Sequence, residues 1–215
     1  VNIDKVNDQD LTVAVQLKAL GKVSVTGSVQ NSNGTIDDGF NGEGIISVFD
    51  SERDLYLEDI SFSIKEQGGV IFKGRVSINN GRFETTFSVP KDITYENKNG
   101  RVIAYVFDEK NDGIGYTNNV IVGGTDENAV DDEDGPEIEI SFDDESFTNS
   151  YLVNQNFDLI VKLSDETGLN TTGTGVGHRL EGVFDDDIEN SIDLSNFFVG
   201  DIDSGGKSGV TSYKF

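Results

Sequence analysis

The chain is predicted to be all-β: two antiparallel immunoglobulin-like β-sandwich domains, the second incomplete. Three observations carry that expectation. Side chains alternate in polarity with period two in run after run, the mark of strands with one buried face. Composition favours strands and turns: of 215 residues, 25 are Gly, Trp, Met and Cys are absent, and Val, Ile, Thr, Phe, Asn and Asp fill the readable stretches. Helix formers such as Ala, Gln and Lys are sparse, so a helical bundle is not supported. Turn signals recur at intervals of about 8 to 15 residues, as a short-stranded sandwich requires.

Taken in order, residues 11–15 give the first expected strand. In Lys22-Val23-Ser24-Val25-Thr26-Gly27-Ser28-Val29 the valines fall on one face and the polar residues on the other. Residues 45–49 and 60–64 follow. The runs at 70–78 and 82–89 flank Asn80-Gly81, both of which tolerate the positive φ of a type I′ turn, so a hairpin is expected there. Pro90 ends its second strand. Residues 101–108 and 118–123 complete about seven strands in roughly 125 residues, the count of an immunoglobulin-type sandwich. A barrel of equal strand number fits the same pattern.

A break follows. Residues 126–136, closing on Asp131-Asp132-Glu133-Asp134-Gly135-Pro136, are acidic and nearly free of bulky apolar side chains. They read as a linker between a first sandwich at 1–125 and a second, truncated one at 137–215. Alternation resumes in Glu137-Ile138-Glu139-Ile140-Ser141-Phe142 and in Phe157-Asp158-Leu159-Ile160-Val161-Lys162-Leu163. Only about four or five strands are readable in this half, and another opens at Tyr213-Lys214-Phe215. A sandwich short of strands leaves an open core and unpaired edges, so the native chain is expected to continue past Phe215. The start, Val1-Asn2-Ile3-Asp4, is neither an initiator Met nor a signal peptide, and something upstream is expected as well.

Charge narrows the function. The chain carries 40 acidic and 16 basic residues for a formal charge of −24. Such a surface repels phosphate backbones and anionic headgroups, so nucleic acid is excluded as a partner and direct docking on anionic lipid is disfavoured. No run of about 18 apolar residues exists to span a membrane. Without cysteine there is no disulfide, no thiolate metal site and no thiol nucleophile.

The chemistry-bearing motifs assign no catalytic and no cofactor-binding residue. His178 is the only histidine. It closes Gly173-Thr174-Gly175-Val176-Gly177-His178, which reads first as a glycine turn feeding a strand and second as a backbone cradle for an anion. No nucleophile elbow is present, and nothing singles out a carboxylate pair in an apolar pocket. EF-hand spacing fails when aligned on either Gly135 or Gly113. Asp131, Asp132 and Asp134 remain as candidate calcium ligands at the linker. Their mutual repulsion would be relieved, and the linker locked, by a cation. The plainer reading is a solvated linker. Asn33-Gly34-Thr35 and Asn170-Thr171-Thr172 match the glycosylation sequon, a pattern too short to weigh.

Four blocks in order carry a resemblance. They are Leu17-Lys18-Ala19-Leu20-Gly21-Lys22-Val23-Ser24-Val25-Thr26-Gly27; Phe72-Lys73-Gly74 with Asn80-Gly81-Arg82-Phe83 and Val89-Pro90-Lys91-Asp92-Ile93; Ile114-Gly115-Tyr116 with Ile121-Val122-Gly123-Gly124-Thr125; and the most specific, Leu163-Ser164-Asp165-Glu166-Thr167-Gly168-Leu169-Asn170 running on to His178. The chain resembles the region after the peptidase domain in the type IX secretion sortases of Bacteroidetes, the PorU-type, gingipain-like cysteine peptidases. The resemblance implies a parent whose Cys and His remove the C-terminal signal domain of exported cargo at the outer face of the outer membrane, beside a β-barrel partner. Neither catalytic residue carries over, since Cys is absent and His178 lies in the tail motif. The implied role is therefore non-catalytic: positioning the upstream peptidase domain, holding the barrel protein, or presenting cargo. The alternative is a calcium-stiffened adhesin or stalk module.

Overall fold

The computed structural model describes residues 1–57, 62–129, 134–143, 155–170 and 180–215. It bears out the all-β expectation: antiparallel sheets dominate, and the helical content of the described residues is two single 3-10 turns, Ile188–Asn190 and Ser195–Phe197.

The strands of the first part are β1 Asn2–Val6, β2 Gln9–Asp10, β3 Val15–Ala19, β4 Lys22–Ser28, β5 Gly42–Phe49, β6 Arg53–Leu57, β7 Phe62–Glu66, β8 Val70–Ile78, β9 Arg82–Ser88, β10 Lys98–Asn99, β11 Arg101–Phe107, β12 Asp112–Thr117 and β13 Val120–Thr125. One layer has the order β2-β1-β4-β9. The facing strands run β12-β11-β5-β8 and β10-β13-β3. Those two ribbons continue into one another where Gly100 parts β10 from β11 and donates its N–H to the Val120 carbonyl at 3.0 Å. A Cβ at position 100 would stand 2.6 Å from the Phe49 carbonyl oxygen, so only glycine permits this crossing.

Between the layers lies an aliphatic core. Val23 and Val25 of β4 and Phe83 and Phe87 of β9 face Ile46, Val48, Val76, Val102 and Val106, all buried. The rings of Phe72 and Phe87 stack across the gap with centroids 4.0 Å apart. Period-two alternation is visible in the burial itself: β9 reads exposed, buried, exposed, buried along its length.

Three local expectations need correction. Asn80 and Gly81 do take the positive φ angles of a type I′ turn, 50° and 68°. The flanking strands, however, do not form a hairpin ladder. β8 pairs with β5, β9 pairs with β4, and only the bridge Asn79–Arg82 joins the two. Each run finds a longer antiparallel partner in a different layer, so the turn becomes the corner between layers.

The first expected strand, at 11–15, is a turn. The strand begins at Val15, where Val15, Leu17 and Ala19 all point inward and β3 lies parallel to β13. The strand expected at 60–64 is instead Phe62–Glu66, and Ile60 falls outside the described residues. Strands β1, β6 and β12 lie outside the alternating runs of the sequence. A bulge between Ile3 and Lys5 breaks the alternation of β1, β6 is almost wholly exposed, and β12 is glycine-rich with little buried surface.

The second part contributes β14 Glu137–Phe142, β15 Asp158–Ser164, β16 Glu181–Gly182, β17 Ile192–Asp193, β18 Phe198–Gly200 and β19 Ser208–Lys214. Its main sheet runs β14-β15-β19-β18, and β16 pairs with β17. A separate core of Leu159, Val161, Leu163 and Leu194 is rimmed by half-buried aromatics. The ring of Phe215 stacks on Phe157 at 4.6 Å and meets Phe184 edge-on at 4.8 Å.

Candidate functional site at the seam and the exposed sheet faces

A loop of the second part lies against the first. After β18, Asp201-Ile202-Asp203-Ser204-Gly205-Gly206 turns back into β19. It is held by Asp201 N–H donating to the Ser208 carbonyl at 3.0 Å and the Ser208 hydroxyl donating to the Asp201 carboxylate at 2.6 Å. This loop reaches β8, the outermost strand of its sheet. Ile202 bridges Arg75 in parallel, and the Asp203 N–H donates to the Arg75 carbonyl at 3.0 Å. The Asp203 carboxylate accepts from both the Ser77 N–H at 2.8 Å and the Ser77 hydroxyl at 2.7 Å. An edge strand that would otherwise present free backbone is thereby covered.

Two glycines make the approach close enough. Gly205 has φ +65°, and a Cβ there would lie 2.1 Å from the carbonyl oxygen of Thr86 on β9. Gly206, at φ +77°, sits against the Phe72 ring. The loop therefore spans β8 and β9, the edges of the two layers. A second tie joins the Asn170 amide to the Asp92 carboxylate at 3.3 Å.

Beside this seam lies a cleft of about 640 Å³, floored by Ile71, Phe72, Val89 and Leu169 with Lys22, Lys91, Asp126 and Glu166 among its polar wall. The wall mixes both signs of charge and presents no thiol. Among the described residues that line it, none is a histidine or a cysteine.

Two further surfaces are unusual for so acidic a chain. On the outer face of the β12-β11-β5-β8 sheet, Tyr105 stands directly opposite Ile45 on one side and Ile114 on the other, and Ile103 stands opposite Tyr116. Tyr116 is 67% exposed. The Arg101 guanidinium lies 5.5 Å from its ring centroid. The charge of Asp112, with burial and a hydrogen bond to the same carboxylate adding less, holds the Tyr105 phenol above its ordinary range.

The second surface is the ribbon of β6 and β7. Leu55 opposes Ile64 and Leu57 opposes Phe62, giving it one apolar face. An Arg53–Glu66 ion pair at 2.8 Å and one between Lys65 and Glu52 close its base. At its root the buried Asp50 carboxylate accepts from the N–H groups of Ser51 at 2.6 Å and Thr94 at 2.7 Å.

Of the residues singled out from the sequence, Asp134 is exposed, while Asp131, Asp132 and His178 lie outside the described residues. Among the described residues no three His, Cys, Asp or Glu side chains gather in a geometry that could hold a metal ion. No described helix is long and apolar enough to cross a membrane. Asn33 belongs to an exposed turn, its side-chain oxygen accepting from the Thr35 hydroxyl at 2.8 Å.

The sequence pattern does not single out the seam residues Asp203, Gly205 and Gly206. Their Asp-Ser-Gly-Gly signature announces a turn, and nothing local announces what the turn will touch.

Fold and seam together define a class: paired antiparallel β-sheet units joined by a loop-to-edge clasp, with apolar outer faces and no thiol. Among solved structures, the chain is similar to dimeric latent PorU from Porphyromonas gingivalis, with 27% identity and a TM-score of 0.62. The match covers 99% of this chain and 21% of that one, so the chain spans about a fifth of the length of PorU. No protein-family model matches the chain, and no curated protein sequence does.

Proposed function

We propose that the chain is the non-catalytic, C-terminal β-sandwich region of a type IX secretion sortase of the PorU kind, working at the outer face of the bacterial outer membrane. The single observation that carries this reading is the match to PorU along 99% of the chain at 27% identity, at which a likeness extends beyond architecture. The absence of cysteine supports the non-catalytic part, because a gingipain-like peptidase needs a thiolate and this region cannot supply one.

In this reading the chain divides into an immunoglobulin-like unit at 1–125, a linker at 126–136 and a second unit at 137–215. The clasp at Asp203 and Gly205 fixes their relative orientation, so the pair acts as a rigid bracket. Its partners are the peptidase domain of the parent protein, the outer-membrane β-barrel and passing cargo. The Tyr105–Tyr116 face and the β6–β7 ribbon are its contact surfaces, aromatic and aliphatic patches being what an interface centre requires.

The test is made in the full-length parent. Deleting the region is expected to leave hydrolysis of a short peptide by the peptidase domain intact while cargo at the cell surface retains its C-terminal signal domain. Normal cargo maturation without the region would overturn the proposal.

A further inference from the structure

Asparagine followed by glycine occurs four times in the chain, at Asn33-Gly34, Asn41-Gly42, Asn80-Gly81 and Asn99-Gly100. The pair has a chemistry of its own. With no side chain crowding it, a glycine nitrogen can reach the side-chain amide carbon of the asparagine before it and close a five-membered imide. Whether it does so depends on how the fold holds each pair.

Three of the four are locked. Gly42 stands opposite Ile78 in the β5–β8 ladder, and a Cβ there would lie 2.2 Å from the Phe107 carbonyl oxygen. Its neighbour Asn41 is tied at both ends of the amide, donating to the Gly39 carbonyl at 3.1 Å and accepting from the Asn80 N–H at 3.0 Å. Gly81 is buried and donates its N–H to the Phe40 carbonyl at 2.8 Å, and a Cβ on it would lie 2.4 Å from the Asp37 carbonyl oxygen. Gly100 is buried as well, with its N–H on the Val120 carbonyl, and the Asn99 amide donates to the Asn118 carbonyl at 2.9 Å. To swing any of these peptides onto its own side chain, a ladder or a packed corner must open first.

Asn33-Gly34 differs in room and in polarisation. Both residues are exposed, and no atom lies within 4 Å of the place a Cβ would take on Gly34. The Gly34 N–H donates to the Asn31 carbonyl at 3.0 Å, closing a turn that water reaches. The Asn33 side-chain oxygen accepts from the Thr35 N–H at 3.1 Å and from the Thr35 hydroxyl at 2.8 Å. A backbone N–H only donates, so the atom facing it is the oxygen of the amide and not its nitrogen. The Asn31 side-chain oxygen shares both donors from slightly farther off, at 3.2 and 3.0 Å.

We propose that Asn33 is a self-modification site, the one Asn-Gly pair of the folded chain that loses its side-chain amide, with Thr35 as the group that polarises it. The Gly34 nitrogen bonds to Cγ of Asn33, and the carbonyl electron pair moves onto Oδ1, where the Thr35 donors meet the developing charge. Collapse of this intermediate breaks the Cγ–Nδ2 bond. Ammonia leaves, carrying the proton that a solvent base has taken from the Gly34 nitrogen. Water then opens the imide at either carbonyl, leaving an aspartyl or an isoaspartyl residue at position 33. The product adds a negative charge and, in the isoaspartyl form, one carbon to the backbone of an exposed loop. The inference holds whichever parent protein the chain belongs to.

The experiment ages the 215-residue chain in mildly alkaline buffer, folded and in urea, and follows all four sites by peptide mapping with fragmentation that separates aspartyl from isoaspartyl products. In the folded chain Asn33 is expected to convert at least about tenfold faster than the other three, since each of those waits on a local opening. In urea the four rates should converge. Thr35→Val is expected to slow Asn33 about threefold to tenfold, a fraction of what an enclosed oxyanion donor gives. Thr35→Ser, which keeps the hydroxyl, should restore the rate, and circular dichroism of both variants should match the parent chain. Conversion of Asn41, Asn80 or Asn99 in step with Asn33 in the folded chain would overturn the proposal. So would an Asn33 that keeps its amide while the unfolded chain converts, or a Thr35→Val variant that ages as fast as the parent.

Discussion

The two cores are built from the same alternation and end in different states. In the first, β4 and β9 lie over β5, β8 and β11, and every apolar residue of the inner faces meets another: Leu17, Ile46, Val76, Val102 and Val106 have no exposure at all or almost none. In the second, the buried residues among those described are three leucine and valine side chains of β15 with Leu194, and a collar of Phe157, Phe184, Phe198, Tyr213 and Phe215 packs around them. The lesson is that alternation specifies a buried face without supplying its cover. Where a second layer arrives, small aliphatics suffice. Around the second core large aromatics take that place, and among the described residues Ile138 and Ile140 are about half exposed.

The sharpest break of this comparison is a pair of truncations. Leu17→Ala in the closed core should cost about 3 kcal/mol, since a cavity opens where neighbours cannot collapse. Leu163→Ala in the half-covered core should cost about half as much, because water and mobile aromatics refill the space. Urea unfolding followed by tyrosine emission measures both, and equal costs would erase the distinction.

Next in size is the seam. Gly205→Val places a Cβ where the Thr86 carbonyl oxygen stands and asks a branched residue to hold φ +65°. A penalty of about 2 kcal/mol is expected, appearing as faster amide exchange at Ser77 while the β4–β9 and β15–β19 ladders keep their protection. Loss of protection in those ladders would mean that the two cores do not stand independently of the clasp.

A smaller effect is expected from Asp203→Ala, which removes two acceptors from Ser77. The cost is about 1 kcal/mol in so exposed a site, read by the same exchange measurement.

The smallest is a pH effect at the β11–β12 turn. There the Asp108 carboxylate accepts from the N–H groups of Lys110 at 2.7 Å and Asn111 at 2.6 Å, and these bonds hold its pKa below the ordinary value. A group depressed in the folded state lends stability above its unfolded pKa and loses it as pH falls through the folded one. The Lys110 and Asn111 amide resonances should therefore titrate with a midpoint below about 3.9. An ordinary midpoint would mean that the turn is not held by these bonds.

Much of this was legible in the chain itself. The valines of β4, the alternation of β8, β9, β11 and β15, and the positive-φ pair Asn80-Gly81 all name their own conformation, because side-chain period and backbone tolerance are local properties. Strand β3 was misplaced by four residues because Leu11 and Val13 alternate as convincingly as Val15 and Leu17. Only its parallel contact with β13 decides which pair goes inside.

What the sequence by itself determined is the class of structure: β-strands with one apolar face, tight turns, an acidic surface and no thiol chemistry. These follow from residue types within a few positions of each other. Tertiary structure alone decided that β8 and β9 part into different layers, that β3 lies parallel to β13, and that Asp203 reaches Ser77 from 126 residues away. Each depends on which strand edge arrives from afar, and a side chain carries no record of the partner it will meet.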